Sequence, residues 1–109
     1  MAPVDALEYM KKTPNLFILD VRPEERHKEI SFVGSTNIPL AVLQERLGEI
    51  PKDRPVMIHC RLGVTSLKAY PIVMEGRPDI PVLAFIEGEP PFEAYNTWKT
   101  EKMKKSQKK

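Results

Sequence analysis

The sequence predicts an α/β domain built on a small central parallel sheet flanked by helices in three layers. Three observations carry that reading. Short continuous apolar runs at 16–19, 56–58 and 82–86 alternate with segments whose apolar residues recur every three or four positions. Strands that are apolar throughout suit a parallel sheet covered on both faces. Eleven prolines are spread along the chain and fall between short elements as punctuation.

Taken in order, Val4, Leu7 and Met10 have helical spacing with Asp5 in the first turn, and Pro14-Asn15 breaks the helix. Leu16-Phe17-Ile18-Leu19 reads as a buried strand ending in Asp20. Pro23 is placed to open a short charged helix over 23–29. Gly34-Ser35-Thr36-Asn37 reads as a turn. Leu40, Leu43 and Leu47 then mark a second helix, ended near Gly48. After a loop at 51–55, Val56-Met57-Ile58 is the next strand. Residues 64–75 read as a helix with Leu67, Tyr70 and Met74 on one side, closed by Gly76-Arg77-Pro78-Asp79. Pro71 lies inside this helix and removes one of its hydrogen bonds. A third strand at 82–86 and a last helix at 92–98 complete the pattern.

The 109 residues suit one domain, read here as 1–98, followed by a lysine-rich segment, 99–109, expected to be flexible. The net charge of +2 hides an asymmetry: six lysines and one glutamate after position 98 carry +5, so the body carries −3. A body of that sign does not suit nucleic acid. No apolar stretch is long enough to span a membrane. A single cysteine excludes an internal disulfide or a cysteine-rich metal site, and the two histidines show no metal-ligand spacing. A reducing, cytoplasmic compartment is the expectation.

That cysteine, Cys60, is the candidate catalytic residue. It follows an apolar strand and precedes Arg61-Leu62-Gly63-Val64-Thr65-Ser66, a loop running into a helix. Ligands bind beyond the carboxyl ends of strands in such sheets. A thiol must ionise to attack. Arg61 supplies a neighbouring positive charge, Gly63 lets successive N–H groups turn inward as an anion nest, and the next helix aims its positive end at the sulfur. Thr65 and Ser66 supply hydroxyl donors. His59 precedes the cysteine on a strand, where successive side chains point to opposite faces, so it is expected to be packed and not to act as a base. His27 sits in a charged segment and reads as exposed.

Three blocks together resemble the rhodanese family of sulfurtransferases, over roughly residues 3–98. Leu19-Asp20-Val21-Arg22 is similar to its strand-end Asp-x-Arg, Gly34-Ser35-Thr36-Asn37-Ile38-Pro39-Leu40 to its Gly-Ala/Ser-x-Asn-Ile-Pro turn, and residues 60–66 to its active-site loop. The resemblance implies a Cys60 persulfide that takes sulfur from thiosulfate, a persulfide or a polysulfide and passes it to a thiol or cyanide. The backbone of Arg61, Leu62, Gly63, Val64 and Thr65 would hold the outer sulfur. Arg26, six residues after Asp20, falls where thiosulfate-using members can place a substrate-binding arginine; as a plain surface charge it needs no such role. Asp20, Arg22, His59 and Ser66 are read as structural neighbours of the site. No metal or organic cofactor is implied. The sequence departs from the family at Ile30-Ser31-Phe32, at Gly88-Glu89, at Tyr95 and at Pro71.

Two other readings share these residues. A persulfide carrier or regulatory module, loaded by a sulfur-relay partner protein, needs the same loop. A phosphatase or arsenate reductase of the same fold needs an arginine six positions after the cysteine, where this chain has Ser66.

Overall fold

Parallel pairing organises the chain. The computed structural model describes residues 1–61 and 64–107. Its elements are α1 (Pro3–Lys12), β1 (Phe17–Asp20), α2 (Glu24–Glu29), β2 (Thr36–Asn37), α3 (Leu40–Leu43), β3 (Val56–His59), α4 (Val64–Gly76), β4 (Leu83–Phe85) and α5 (Phe92–Gln107). The strands form one sheet in the order β2-β1-β3-β4. Every pairing is parallel, with Asp20 in register with both Asn37 and His59. The carboxyl ends of the three strands β1, β2 and β3 are therefore level.

Strand alternation divides the core in two. Leu19, Val56, Ile58 and Cys60 face one side, where they meet Leu43, Leu47, Ala69 and Val73 of the segments around α3 and α4. Ile18 and Met57 face the other side, against Ala6 and Met10 of α1 and Tyr95 of α5. The result is the expected sheet between two helical layers.

Several elements differ from the sequence reading. Thr36–Asn37, read as part of a turn, is a two-residue edge strand because it docks on Leu19 and Asp20. The helix beginning at Leu40 tightens into a 3-10 stretch, Gln44–Glu49, with Arg46 leaving helical geometry at φ −115°, ψ 16°. The buried face of α4 is Ser66, Ala69 and Val73, whereas Leu67 and Met74 are exposed. Tyr70, expected on the same side as Leu67 and Met74, is half-buried and packs on the core with Ile72. Pro71 is also on the exposed side, where the Leu67 carbonyl it leaves unpaired can meet water. The segment expected to be a flexible tail continues α5 as far as Gln107. It contains no glycine or proline and is rich in good helix formers, and Lys102 lies 5.1 Å from the Trp98 ring centroid.

Candidate active site

Cys60 leaves the sheet at the end of β3. The backbone there is fixed on both sides: Val21 N–H donates to the His59 carbonyl at 3.1 Å, and Ile86 N–H to the Ile58 carbonyl at 2.9 Å. Alternation directs Cys60 toward α4, and only 3% of its surface is exposed. The Ser66 N–H donates to Cys60 Sγ at 3.4 Å. Ser66 is the third residue of α4, so this donor is one of the first-turn N–H groups that have no partner within the helix. The sulfur thus lies at the positive end of a 13-residue helix, a placement that stabilises negative charge. Thr65 is half-buried beside it, and Val64 and Arg61 are exposed. Leu62 and Gly63, the middle of the expected cradle, lie outside the described residues.

Beside this loop, at the end of β1, is a buried ionic cluster. Asp20 is fully buried, and its carboxylate accepts Nε and an Nη of Arg22 at 2.9 and 2.7 Å. The Arg22 N–H also donates to it, at 2.9 Å. Arg22 extends a further bond to the Ile30 carbonyl at 2.6 Å and stacks over Phe92 at 4.8 Å. The Asn37 amide donates to the carbonyls of both Asp20 and Arg22. Burial pushes the Asp20 carboxyl up, but the Arg22 hydrogen bonds and the neighbouring charges outweigh it and hold the group below its usual value. His27 belongs to the same cluster: its Nδ1 lies 2.9 Å from Asp20 Oδ2. Sequence reasoning placed His27 at the exposed surface, yet it is only a quarter exposed. The two residues sit on different elements, seven positions apart, and no sequence spacing announces their contact.

His59 faces the opposite layer from Cys60. It is fully buried, with edge contacts to Phe32 at 4.8 Å and Phe92 at 5.5 Å between centroids. Neither ring nitrogen has a hydrogen-bond partner among the described residues, and the same holds for the buried Ser66 Oγ. Burial pushes the His59 imidazole down to about 4; the nearby Asp20 charge offsets this only in part. The imidazole thus sits between aromatic rings on the far side of the strand from Cys60.

Arg26 stands apart from the cysteine loop in its described contacts. It lies on the exposed side of α2, 3.4 Å from Glu29. A cleft of about 590 Å³ opens nearby, lined by Glu24, His27, Lys28, Asn37, Pro39, Val42 and Arg46, and Arg26 is not in that lining.

The sequence match now becomes decisive. Residues 3–84 match the rhodanese-like domain. The chain belongs to the rhodanese-like domain family. It is 29% identical over 97 residues to the thiosulfate sulfurtransferase GlpE of Coxiella burnetii, covering 88% of this chain and 82% of that protein. It is 30% identical over 63 residues to a sulfurtransferase of Allochromatium vinosum, covering 58% of this chain and 59% of that one. It also spans a fifth of the length of an HTH-type transcriptional regulator of Mycobacterium tuberculosis, 41% identical over 44 residues, or 40% of this chain. Among solved structures it resembles a rhodanese-related protein of Thermoplasma volcanium with a TM-score of 0.65 at 24% identity, covering 93% of this chain and 90% of that one. This last likeness bears on the rhodanese fold alone.

Proposed function

We propose that this rhodanese-like domain is a sulfurtransferase that works through a Cys60 persulfide. The observation that carries the proposal is the Cys60 sulfur held under the first turn of α4 by the Ser66 N–H at 3.4 Å. The relative named thiosulfate sulfurtransferase supports the choice of donor class. In the first half-reaction the Cys60 thiolate attacks the outer sulfur of thiosulfate. The sulfur–sulfur bond breaks and sulfite leaves with the electron pair. A persulfide or polysulfide donor reacts in the same way and releases a thiolate or a shorter polysulfide. In the second half-reaction a thiolate or cyanide attacks the outer sulfur and Cys60 departs as the thiolate. The loop from Arg61 to Thr65 would hold the outer sulfur, and Arg61, exposed at its mouth, would attract anionic donors. Arg26 is a second candidate contact for such donors. With one cysteine in the chain, the sulfur must leave to an external acceptor. This chemistry suits a reducing compartment.

Intact-protein mass spectrometry after incubation with thiosulfate, then with cyanide, tests the proposal. The expected result is a gain of one sulfur atom that cyanide removes as thiocyanate over many turnovers. Cys60→Ser should show neither the adduct nor turnover while keeping its unfolding transition. An adduct loaded only by a persulfide donor would replace the thiosulfate enzyme with the carrier reading. Loading or turnover retained in Cys60→Ser would sink the mechanism.

A further inference from the structure

The outward face of α4 carries an apolar stripe that the proposed chemistry leaves unused. Val64, Leu67, Pro71 and Met74 recur at three- and four-residue steps and form one stripe along the helix. Their side chains face solvent: Val64 is 62%, Leu67 60% and Met74 49% exposed, and Pro71 is exposed as well. An isolated exposed leucine needs no explanation, but an ordered stripe of apolar side chains marks an interaction site. The stripe begins at Val64, four residues after Cys60, so whatever covers it also sits against the cysteine loop.

The charges around the stripe define what would cover it. Arg61 and Lys68 are exposed at the loop end and make no ion pair among the described residues. Glu75 lies at the far end of the same face. The stripe is thus positive near Cys60 and negative away from it, a polarity that orients an incoming surface. A second copy of this chain packed antiparallel would match Glu75 to the Arg61 end, but at two costs. Two α4 helices packed antiparallel about the middle of the stripe would set Lys68 beside its own copy. They would also place each Cys60 at the opposite end of the stripe from the other.

We propose that the Val64–Leu67–Pro71–Met74 face of α4 docks a protein sulfur donor or acceptor whose reactive cysteine is flanked by apolar residues and carboxylates. The inference rests on the persulfide chemistry proposed above and names the partner class for that site. The apolar stripe supplies contact area, Arg61 and Lys68 set the register, and the partner's cysteine is brought to the mouth of the Cys60 loop.

The test uses synthetic dye-labelled helical peptides read by fluorescence anisotropy. One carries leucines at helical spacing flanked by glutamates, with serine in place of the reactive cysteine. Its controls replace the leucines by serine or the glutamates by lysine. The leucine–glutamate peptide should bind at least about tenfold more tightly than either control. Leu67→Ser combined with Met74→Ser should abolish that preference, and Lys68→Glu should reverse the charge preference. All three positions are exposed, so the variants should keep the parent unfolding transition. Equal binding of all peptides, or a preference unchanged in the double variant, would overturn the proposal. So would a concentration-dependent dimer that the double variant abolishes, which would assign the face to a second copy. Because the probe has no cysteine, binding is read whether or not Cys60 accepts sulfur. Cysteine-containing versions then report transfer separately. Selective binding without transfer, together with no adduct from thiosulfate or a persulfide donor, would leave the surface standing and remove the persulfide reading.

Discussion

Acidification should weaken this domain before its carboxylates titrate, because of His59. The imidazole is fully buried between Phe32 and Phe92, and its value falls from an ordinary 6.5 to about 4. The unfolded chain takes up a proton on this residue below about pH 6.5, whereas the folded protein does not until pH approaches 4. In that window the unfolded state binds more protons, so stability rises with pH and falls on acidification. Integrated between about pH 7 and about pH 5, the loss is roughly 2 kcal/mol. Asp20, whose folded value lies below its usual 3.8, acts in the same direction but at lower pH. Its contribution is present above the unfolded value and is lost as pH falls through the folded one. Urea unfolding at half-unit pH steps would measure both effects. The His59→Leu variant fills similar volume with no titrating group and should flatten the curve between about pH 7 and about pH 5. A flat parent curve in that window, or an equal slope in His59→Leu, would refute the reasoning.

Two further predictions concern stability. Asp20→Asn removes the charge facing Arg22, whose side chain is only 6% exposed, and should cost about 3–5 kcal/mol in urea unfolding; a cost below about 1 kcal/mol would mean that water compensates the guanidinium. Gly34 has φ +81° with nothing within 4 Å of an added Cβ, so Gly34→Ala should lose about 1 kcal/mol through backbone strain alone. Gly34→Asn should lose less, since asparagine tolerates positive φ, and equal losses in the two variants would count against that cause.

The strands were legible where they are continuously apolar. Phe17-Ile18-Leu19 and Val56-Met57-Ile58 suit burial on both faces, and all but the half-buried Phe17 are buried. Thr36–Asn37 carries no apolar residue, and its identity as a strand comes from its register with Leu19 and Asp20, which is tertiary information. Periodicity identified α4, but of the three residues it grouped on one side only Tyr70 packs on the core. Leu67 and Met74 share a helical spacing, yet Ser66, Ala69 and Val73 take the buried side. Hydrophobicity alone cannot tell a stripe that packs inside from one kept for an outside contact. The lysines after Trp98 suggested a loose end, although every residue there is compatible with helix and the helix continues. The strand end before Cys60, the helix after it and the opposite facing of His59 and Cys60 were readable from local sequence. The contact of His27 with Asp20 was not, because it depends on how α2 lies over the end of β1.

The level ends of β1 and β3 bring the ionic cluster and the thiol to one end of the sheet. Register sets Asp20 beside His59, one residue before Cys60. Asp20 is bound on both oxygens, by Arg22 and His27, and so has its negative charge compensated locally. An uncompensated carboxylate at that level would oppose ionisation of a neighbouring thiol. The cluster also ties down the chain that follows β1: Arg22 reaches Ile30, and Asn37 reaches back to Asp20 and Arg22. The α5 residue Asn96 extends the same fastening by bonding Ser31 and Val33. The segments on either side of the strand ends are thereby fixed. The buried polar groups thus hold the frame, and the first turn of α4 brings the Ser66 N–H to the sulfur.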